Sequence, residues 1–154
     1  MPWETVFSFA NLWALPFWLL LAFAPRSELT GRIILFGGIA PLAFVYAVLL
    51  PLIMSGAVDP VGPENAPADF TTLAGVMALF DSKGGTTIGW MHYLAFDLFV
   101  GLWVARNADR YGFGRFVQVP ILFFVLMAGP LGLALYLLLR LTVKNPPENA
   151  ELPS

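Results

Sequence analysis

The stretch GWMHYLAFDLFVGLWVAR, residues 89–106, is long and apolar enough to form a helix across a lipid bilayer. It nevertheless contains a histidine, His92, and an aspartate, Asp97. A carboxyl group at membrane depth is costly unless it is paired, protonated or facing a polar cavity, and ionisable groups there commonly serve function. Asp97 is therefore the first candidate for a functional residue.

The composition of the whole chain also indicates a membrane protein. Of the 154 residues, 58% are hydrophobic and only 12% are charged, which is too apolar for an ordinary soluble domain. A spanning helix needs roughly 20 mostly apolar residues. Four segments approach that length: residues 6–24, 33–55, 89–105 and 118–141. They predict an all-α integral membrane protein with one four-transmembrane-helix bundle over residues 1–145 and a polar C-terminal tail at 146–154.

Charge and cysteine content exclude several classes of function. The net charge is −2 and the chain has no basic tract, so we expect no nucleic-acid partner. The absence of cysteine excludes disulfides and thiolate metal sites. With a single histidine in addition, neither a bis-histidine haem nor a zinc site is expected. We therefore predict no metal and no cofactor.

The arginines predict the orientation of the bundle. Two short loops, residues 25–31 and 107–114, would lie on one face, and five of the eight basic residues fall in or beside them. The positive-inside rule places these loops in the cytoplasm. Four spans then put both termini on the non-cytoplasmic side.

The long connection between the second and third spans has two parts. Residues 57–67 are rich in proline, glycine and acids and predict an irregular loop. From Asp69, which can cap a helix, apolar residues recur at helical spacing to Phe80, and Gly84 and Gly85 are expected to end the helix. About three turns are too short to span, so we expect a short amphipathic interfacial or re-entrant helix, or one that merely covers the end of the bundle.

Several polar features fall at similar depth when about 1.5 Å of rise is counted for each helical residue. Asn11, Tyr46, Asp97 and the Gly-Pro-Leu-Gly interruption of the fourth span would meet in one polar pocket, with His92 and Tyr136 nearer the outer surface. The interruption either clears room for a bound molecule or permits close helix packing. The predicted substrate-binding residues are Asn11, Tyr46, Trp90, Tyr93, Gly129, Pro130, Gly132 and Tyr136.

Helix geometry qualifies the pairing of the two ionisable residues. At about 100° per residue, Asp97 shares a face with Trp90 and Tyr93, whereas His92 lies roughly 140° away. A central or bent helix would be needed for both to reach one small site. Alternatively, Asp97 is a carboxyl hydrogen-bonded to Tyr93 or Asn11 that fixes helix register, and His92 lies in the headgroup zone without chemical function.

Three motifs in chain order carry a family resemblance: FTTLAGVMALFDS at 70–82, GWMHYLAFDLFVGLWVARNADR at 89–110 and GPLGLALY at 129–136. They resemble the plant neoxanthin synthase family, also called abscisic-acid-deficient four, and its bacterial relatives of unknown role. Plant members carry a plastid transit peptide, and this chain starts at its first helix. We therefore expect a bacterial-type member, a multi-pass protein of the bacterial cytoplasmic (inner) membrane.

The resemblance implies a cofactor-independent intramolecular rearrangement of violaxanthin, an epoxide, to the allenic alcohol neoxanthin. Such a reaction needs an acid at the epoxide oxygen, a base for the vinylic proton and a dry channel for a polyene. Apolar surroundings disfavour a carboxylate anion, so Asp97 is the expected acid, and His92, nearer water, is the expected base.

Two classes of function remain open on the sequence. The first is an isomerase of a carotenoid or related isoprenoid. The second is a non-catalytic membrane binding or scaffold protein that holds a carotenoid, a quinone or a partner helix. In both, the expected partners are an apolar small molecule and membrane lipid, and either protein could form a homo-oligomer.

Overall fold

The structure is a computed structural model that describes residues 1–59 and 68–143. All regular structure within those two ranges is helical, which confirms the predicted all-α class. The predicted polar tail at 146–154 and most of the predicted loop at 57–67 lie outside the described residues.

The structure contains seven α-helices and one π-helical segment within the described residues. In chain order they are α1 (Trp3–Phe23), α2 (Glu28–Arg32), a π-helical segment (Ile33–Ile39), α3 (Ala40–Met54), α4 (Leu73–Phe80), α5 (Lys83–Arg110), α6 (Arg115–Met127) and α7 (Gly129–Arg140).

Three helices of the described residues are long and apolar enough to cross a membrane. They are Trp3–Phe23, the continuous helix Glu28–Met54 formed by α2, the π-helical segment and α3, and Lys83–Arg110, with 21, 27 and 28 residues. They correspond to the first three predicted spans, and each begins three to six residues earlier than predicted. Capping explains the early start of the second helix, because the Ser27 hydroxyl accepts a hydrogen bond from the Thr30 backbone N–H.

The prediction of a fourth membrane-spanning segment is wrong, because only three helices of the described residues reach that length. Residues 118–141 fall into two helices, α6 with 13 residues and α7 with 12, and each is too short to cross alone. The chain leaves helical geometry at Ala128, where φ is −159° and ψ is 84°. Pro130 follows in the first turn of α7, where its missing N–H needs no partner.

The π-helical segment has a local cause in Pro41. In a regular α-helix the proline ring would clash with the carbonyl group four residues earlier, and proline has no N–H to donate. The wider π turn directly before Pro41 is one way for a helix to accommodate this. The helix therefore continues without a break into α3.

The chain divides into two compact units by its internal contacts. Unit 1 contains Met1–Trp13 and the described residues of Ala40–Ala95, and unit 2 contains Ala14–Ile39 and the described residues from Phe96 onward. The core of unit 1 is formed by side chains from α1, α3, α4 and α5, namely Trp3, Leu49, Ile53, Leu79 and Ile88. The largest fully buried side chains of unit 2 are Leu21, Ile34, Leu98, Val104, Gln118, Val125 and Tyr136.

Within unit 2, α6 and α7 form a helical hairpin. Gly132 in α7 lies against the backbone of α6, since a Cβ there would be 2.3 Å from Val125 N. The end of α7 returns to the loop before α6, because the Arg140 guanidinium donates to the Tyr111 hydroxyl at 2.6 Å and lies over the Tyr111 ring. The hairpin therefore begins and ends beside the C-terminal end of α5.

Within unit 1, the short helix predicted from Asp69 is present as α4, with different ends. It begins at Leu73, because the Thr72 hydroxyl accepts from the Gly75 backbone N–H and caps the helix. Asp69 instead accepts from the backbone N–H groups of Thr71 and Thr72, so it orders the turn before the cap. These hydrogen bonds, with the Thr71 hydroxyl contributing most, lower the pKa of Asp69 from 3.8.

The two glycines expected to end α4 lie in the first turn of α5. Ser82 caps α5 by accepting from the Gly85 backbone N–H at 2.9 Å. Gly85 packs so closely on α4 that a Cβ would meet the Leu79 carbonyl oxygen at 1.6 Å. Gly84 and Gly85 therefore permit a tight corner between α4 and α5.

The apolar side chains of the short helix and of the turn before it, Phe70, Leu73, Met77 and Phe80, are exposed, as an interfacial helix requires.

Candidate functional site

Asp97 lies in α5 at the N-terminal end of α7. Its side chain is buried, and the residue is 8% exposed. The carboxylate accepts a hydrogen bond from the backbone N–H of Gly129. The first N–H groups of any helix lack partners within that helix, and Ala128 has no side chain that could cap α7. Asp97 therefore supplies from α5 the acceptor that α7 lacks.

Glycine at position 129 is required by this contact. A Cβ on Gly129 would be 1.9 Å from Asp97 Oδ1. The reversal at Ala128 thus brings together two of the features predicted for the site, the buried carboxyl group and the Gly-Pro-Leu-Gly interruption. Among the residues that the structure describes, Asp97 is the only buried carboxyl group.

Tyr136 lies at the other end of the hairpin. It is fully buried, and its hydroxyl donates to Asn107 Oδ1 at 2.5 Å. Its ring makes edge contacts with Trp103 and Phe113. The sequence placed Tyr136 near the outer surface, and this placement is wrong. The chain reverses at Ala128, so α7 runs alongside α5 toward the arginine-rich loop instead of continuing past Asp97.

An aromatic surface forms around Asn11 in unit 1. The Asn11 side chain donates to the Phe7 carbonyl at 2.8 Å and accepts from Trp90 Nε1 at 3.0 Å. The Trp90 ring stacks on Tyr93 with centroids 6.0 Å apart and is tilted against Phe7 at 5.9 Å. Phe7, Trp90 and Tyr93 are 36%, 42% and 41% exposed. Asn11 therefore orients the central indole of a partly exposed aromatic surface.

His92 and Tyr46 form a second contact in unit 1. Their ring centroids are 5.2 Å apart with an interplanar angle of 53°. The contacts described above join the predicted site residues in three groups: Asn11 with Trp90 and Tyr93, His92 with Tyr46, and Asp97 with Gly129. The meeting of these groups in one pocket stays a prediction.

A polar network at the loop end of unit 2 was missed by sequence reasoning. Gln118 is buried, and its amide donates to Asp109 and to the Phe113 carbonyl, both at 2.7 Å. Its oxygen accepts from the Arg26 guanidinium at 3.0 Å, and Arg26 Nε lies 3.3 Å from Asp109. Burial, aided by the charge of Arg115, lowers the pKa of Arg26 against the opposing effect of Asp109. The only signal in the sequence was a glutamine beside a row of arginines.

Residues 1–59 and 68–143 contain no cluster of metal-ligating side chains. No three histidine, cysteine, aspartate or glutamate side chains cluster there in a way that could hold an ion.

Comparison with known proteins decides the family. Residues 5–136 match the family model described as ABA DEFICIENT 4-like. The chain belongs to this family. The match confirms the resemblance and includes all three motifs, together with Asp97 and the start of α7. No curated protein and no solved structure matches the chain. That this ABA DEFICIENT 4-like protein is of bacterial type stays a prediction.

Proposed function

We propose that this ABA DEFICIENT 4-like protein is an integral membrane protein that binds a carotenoid or related isoprenoid and isomerises it without a bound redox cofactor. Family membership supports the class of ligand. Three helices of membrane length support the location. The observation that carries the proposal is the buried carboxyl group of Asp97, held at the break between α6 and α7.

The topology that fits this arrangement has three crossings and one re-entrant hairpin. Non-helical backbone at membrane depth persists only where protein or a water-filled cavity surrounds it, and Ala128 next to Asp97 satisfies that condition. Three crossings place the start of α1 and the end of α7 on opposite sides. With the arginine loops in the cytoplasm, the N-terminus is outside and Arg140 is inside. The earlier expectation of two outer termini required a fourth crossing.

Asp97 serves in this proposal as the general acid. One carboxyl oxygen accepts from Gly129, which fixes the orientation of the group, and the other can carry a proton to the substrate. Protonation of an epoxide oxygen would open the C–O bond, and removal of the vinylic proton by a base would complete the allene and the hydroxyl group. A positioned acid or base contributes about 10²- to 10⁴-fold to rate.

His92 is proposed as the base. A neutral imidazole nitrogen can accept the proton that the substrate loses. His92 belongs to unit 1 and Asp97 to unit 2.

The aromatic surface of Phe7, Trp90 and Tyr93 is the proposed docking surface for the polyene. Their rings are about one-third to two-fifths exposed, and the Asn11 hydrogen bond holds the central indole in place. Flat aromatic faces suit stacking against a conjugated chain. Trp90→Leu should weaken binding of the polyene with little change in fold.

A second candidate function is a binding or scaffold protein without catalysis. The contact between Asp97 and Gly129 favours it, because an uncapped helix needs only an acceptor and not a titratable acid. The two functions predict different behaviour of the purified protein. Incubation with violaxanthin in mild detergent, followed by chromatography, should yield an allenic isomer of equal mass. Retention of unchanged carotenoid through purification would support the scaffold function.

A further inference from the structure

A cleft of about 370 Å³ opens in unit 2 between the start of α2 and the last turns of α5. It is separate from Asp97, which does not line it. Its wall carries three arginines, Arg26, Arg106 and Arg110, together with the hydroxyl groups of Ser27 and Thr30.

Two of the surrounding arginines are already neutralised. Arg26 lies 3.3 Å from Asp109, and Arg32 lies 2.7 Å from Glu28. A third, Arg115, donates to the carbonyl groups of Ala22 and Ala24 at the end of α1. Both acids at the cleft therefore have partners.

Arg106 and Arg110 carry the remaining positive charge. Within the described part of the chain, neither has a carboxylate within ion-pair distance. They lie four residues apart on α5, so they share a helix face, and like charges at this spacing destabilise a helix. An anion bound between the two guanidinium groups would replace their repulsion with attraction.

Arg106 packs against Gly31 at the wall of the cleft. A Cβ on Gly31 would be 1.9 Å from Arg106 Nη2, so the guanidinium lies directly on the backbone of α2. This contact fixes one planar fork of donors at the wall. Guanidinium groups bind phosphate with two parallel hydrogen bonds, which makes arginine well suited to this anion.

We propose that Arg106 and Arg110 bind the phosphate of an anionic phospholipid head group in this cleft. The cleft lies at the cytoplasmic end of the bundle in the proposed topology, where anionic lipids attract basic residues. Its volume suits a phosphate with its glycerol portion and is small for a carotenoid.

The test uses the full chain in detergent and measures lipid binding by native mass spectrometry and thermal shift. Phosphatidylglycerol should bind at least tenfold more tightly than phosphatidylcholine. Arg106→Gln with Arg110→Gln should abolish this preference. Lys83→Gln is the matched control, because it also removes one positive charge and neither Lys83 nor its partner Glu4 lines the cleft. It should leave the preference within twofold.

Gly31→Ala separates a formed site from general attraction. It displaces Arg106 and leaves the net charge unchanged, so lipid binding should fall at least fivefold while the melting temperature reports whether the fold persists. Arg106→Lys, which keeps the charge and loses the fork, gives the same information if Gly31→Ala fails to fold.

Three results would overturn the proposal. Equal loss in Lys83→Gln would show attraction by the net charge alone. Equal binding of phosphatidylglycerol and phosphatidylcholine would show that the cleft does not recognise an anionic head group. Competition by inorganic phosphate or glycerol phosphate at millimolar concentration, without any lipid preference, would assign the cleft to a free phosphate compound instead.

Discussion

The carboxyl group of Asp97 in α5 closes the N-terminal end of α7 through the backbone N–H of Gly129. The two residues are so close that position 129 has no room for a side chain. A helix that starts inside a membrane would otherwise leave its first N–H groups without partners, which is costly where no water is available. This one contact therefore explains why position 129 is a glycine and why the α6–α7 hairpin packs beside Asp97.

Gly129→Ala tests that contact. The added methyl group should force Asp97 away from the α7 N-terminus and lower the free energy of unfolding by about 1–3 kcal/mol, the usual range for overpacking. In an Asp97→Ala background the same change should cost clearly less, since the clash is gone. Thermal unfolding of the four proteins measures this coupling, and additive effects would contradict it.

Tyr136→Phe tests the other end of the hairpin. Removal of the hydroxyl leaves the buried Asn107 Oδ1 without its donor, which should cost about 1–3 kcal/mol. Tyr93→Phe is the control, because its ring is 41% exposed, and its stability should change by less than about 0.5 kcal/mol. Similar losses in both variants would argue against a specific role for the buried bond.

The topology can be tested by cysteine labelling, because the chain has no native cysteine. We expect an impermeant reagent to label a cysteine at Glu4 in intact cells. Cysteines at Glu28 and Thr142 should react only after lysis. Labelling of Thr142 together with Glu4 would restore a fourth crossing. Labelling of Glu28 and Thr142 without Glu4 would invert the orientation.

Asp69 gives the turn before α4 a defined pH dependence. Hydrogen bonds lower its pKa in the folded protein below 3.8, so the unfolded chain takes up a proton first as the pH falls. The stabilisation is thus complete above about pH 4 and is lost as the pH drops through the lower folded pKa. Parent stability should fall more steeply than that of Asp69→Asn between about pH 4 and pH 2. Parallel curves would refute the assignment.

The sequence predicted the helical class, the first three of its four proposed spans as membrane-length helices, the short helix before the third span and the burial of Asp97. It could not predict the reversal at Ala128. An apolar run such as residues 118–141 has the same composition whether it crosses the membrane or turns back, and only contacts distant in sequence, such as Asp97 with Gly129, distinguish the two.

The ends of α4 could not be predicted from the spacing of apolar residues either. Asp69 and Thr72 can both cap a helix, and the choice depends on which one reaches a free N–H. Gly84 and Gly85 suggested a stop, whereas the packing of Gly85 on Leu79 shows that they permit a tight corner. The role of Gln118 depends on Arg26, which is far away in sequence.

The central claim, that Asp97 acts on the substrate, is tested most directly by Asp97→Asn. Asparagine keeps the oxygen that caps α7, so stability in detergent should stay within about 1 kcal/mol of the parent. It has no acidic proton, so conversion of violaxanthin should fall by about 10²- to 10⁴-fold. Asp69→Asn, the same chemical change outside the spans, should leave conversion unchanged. Full conversion by Asp97→Asn would contradict the account and leave Asp97 as a helix cap only.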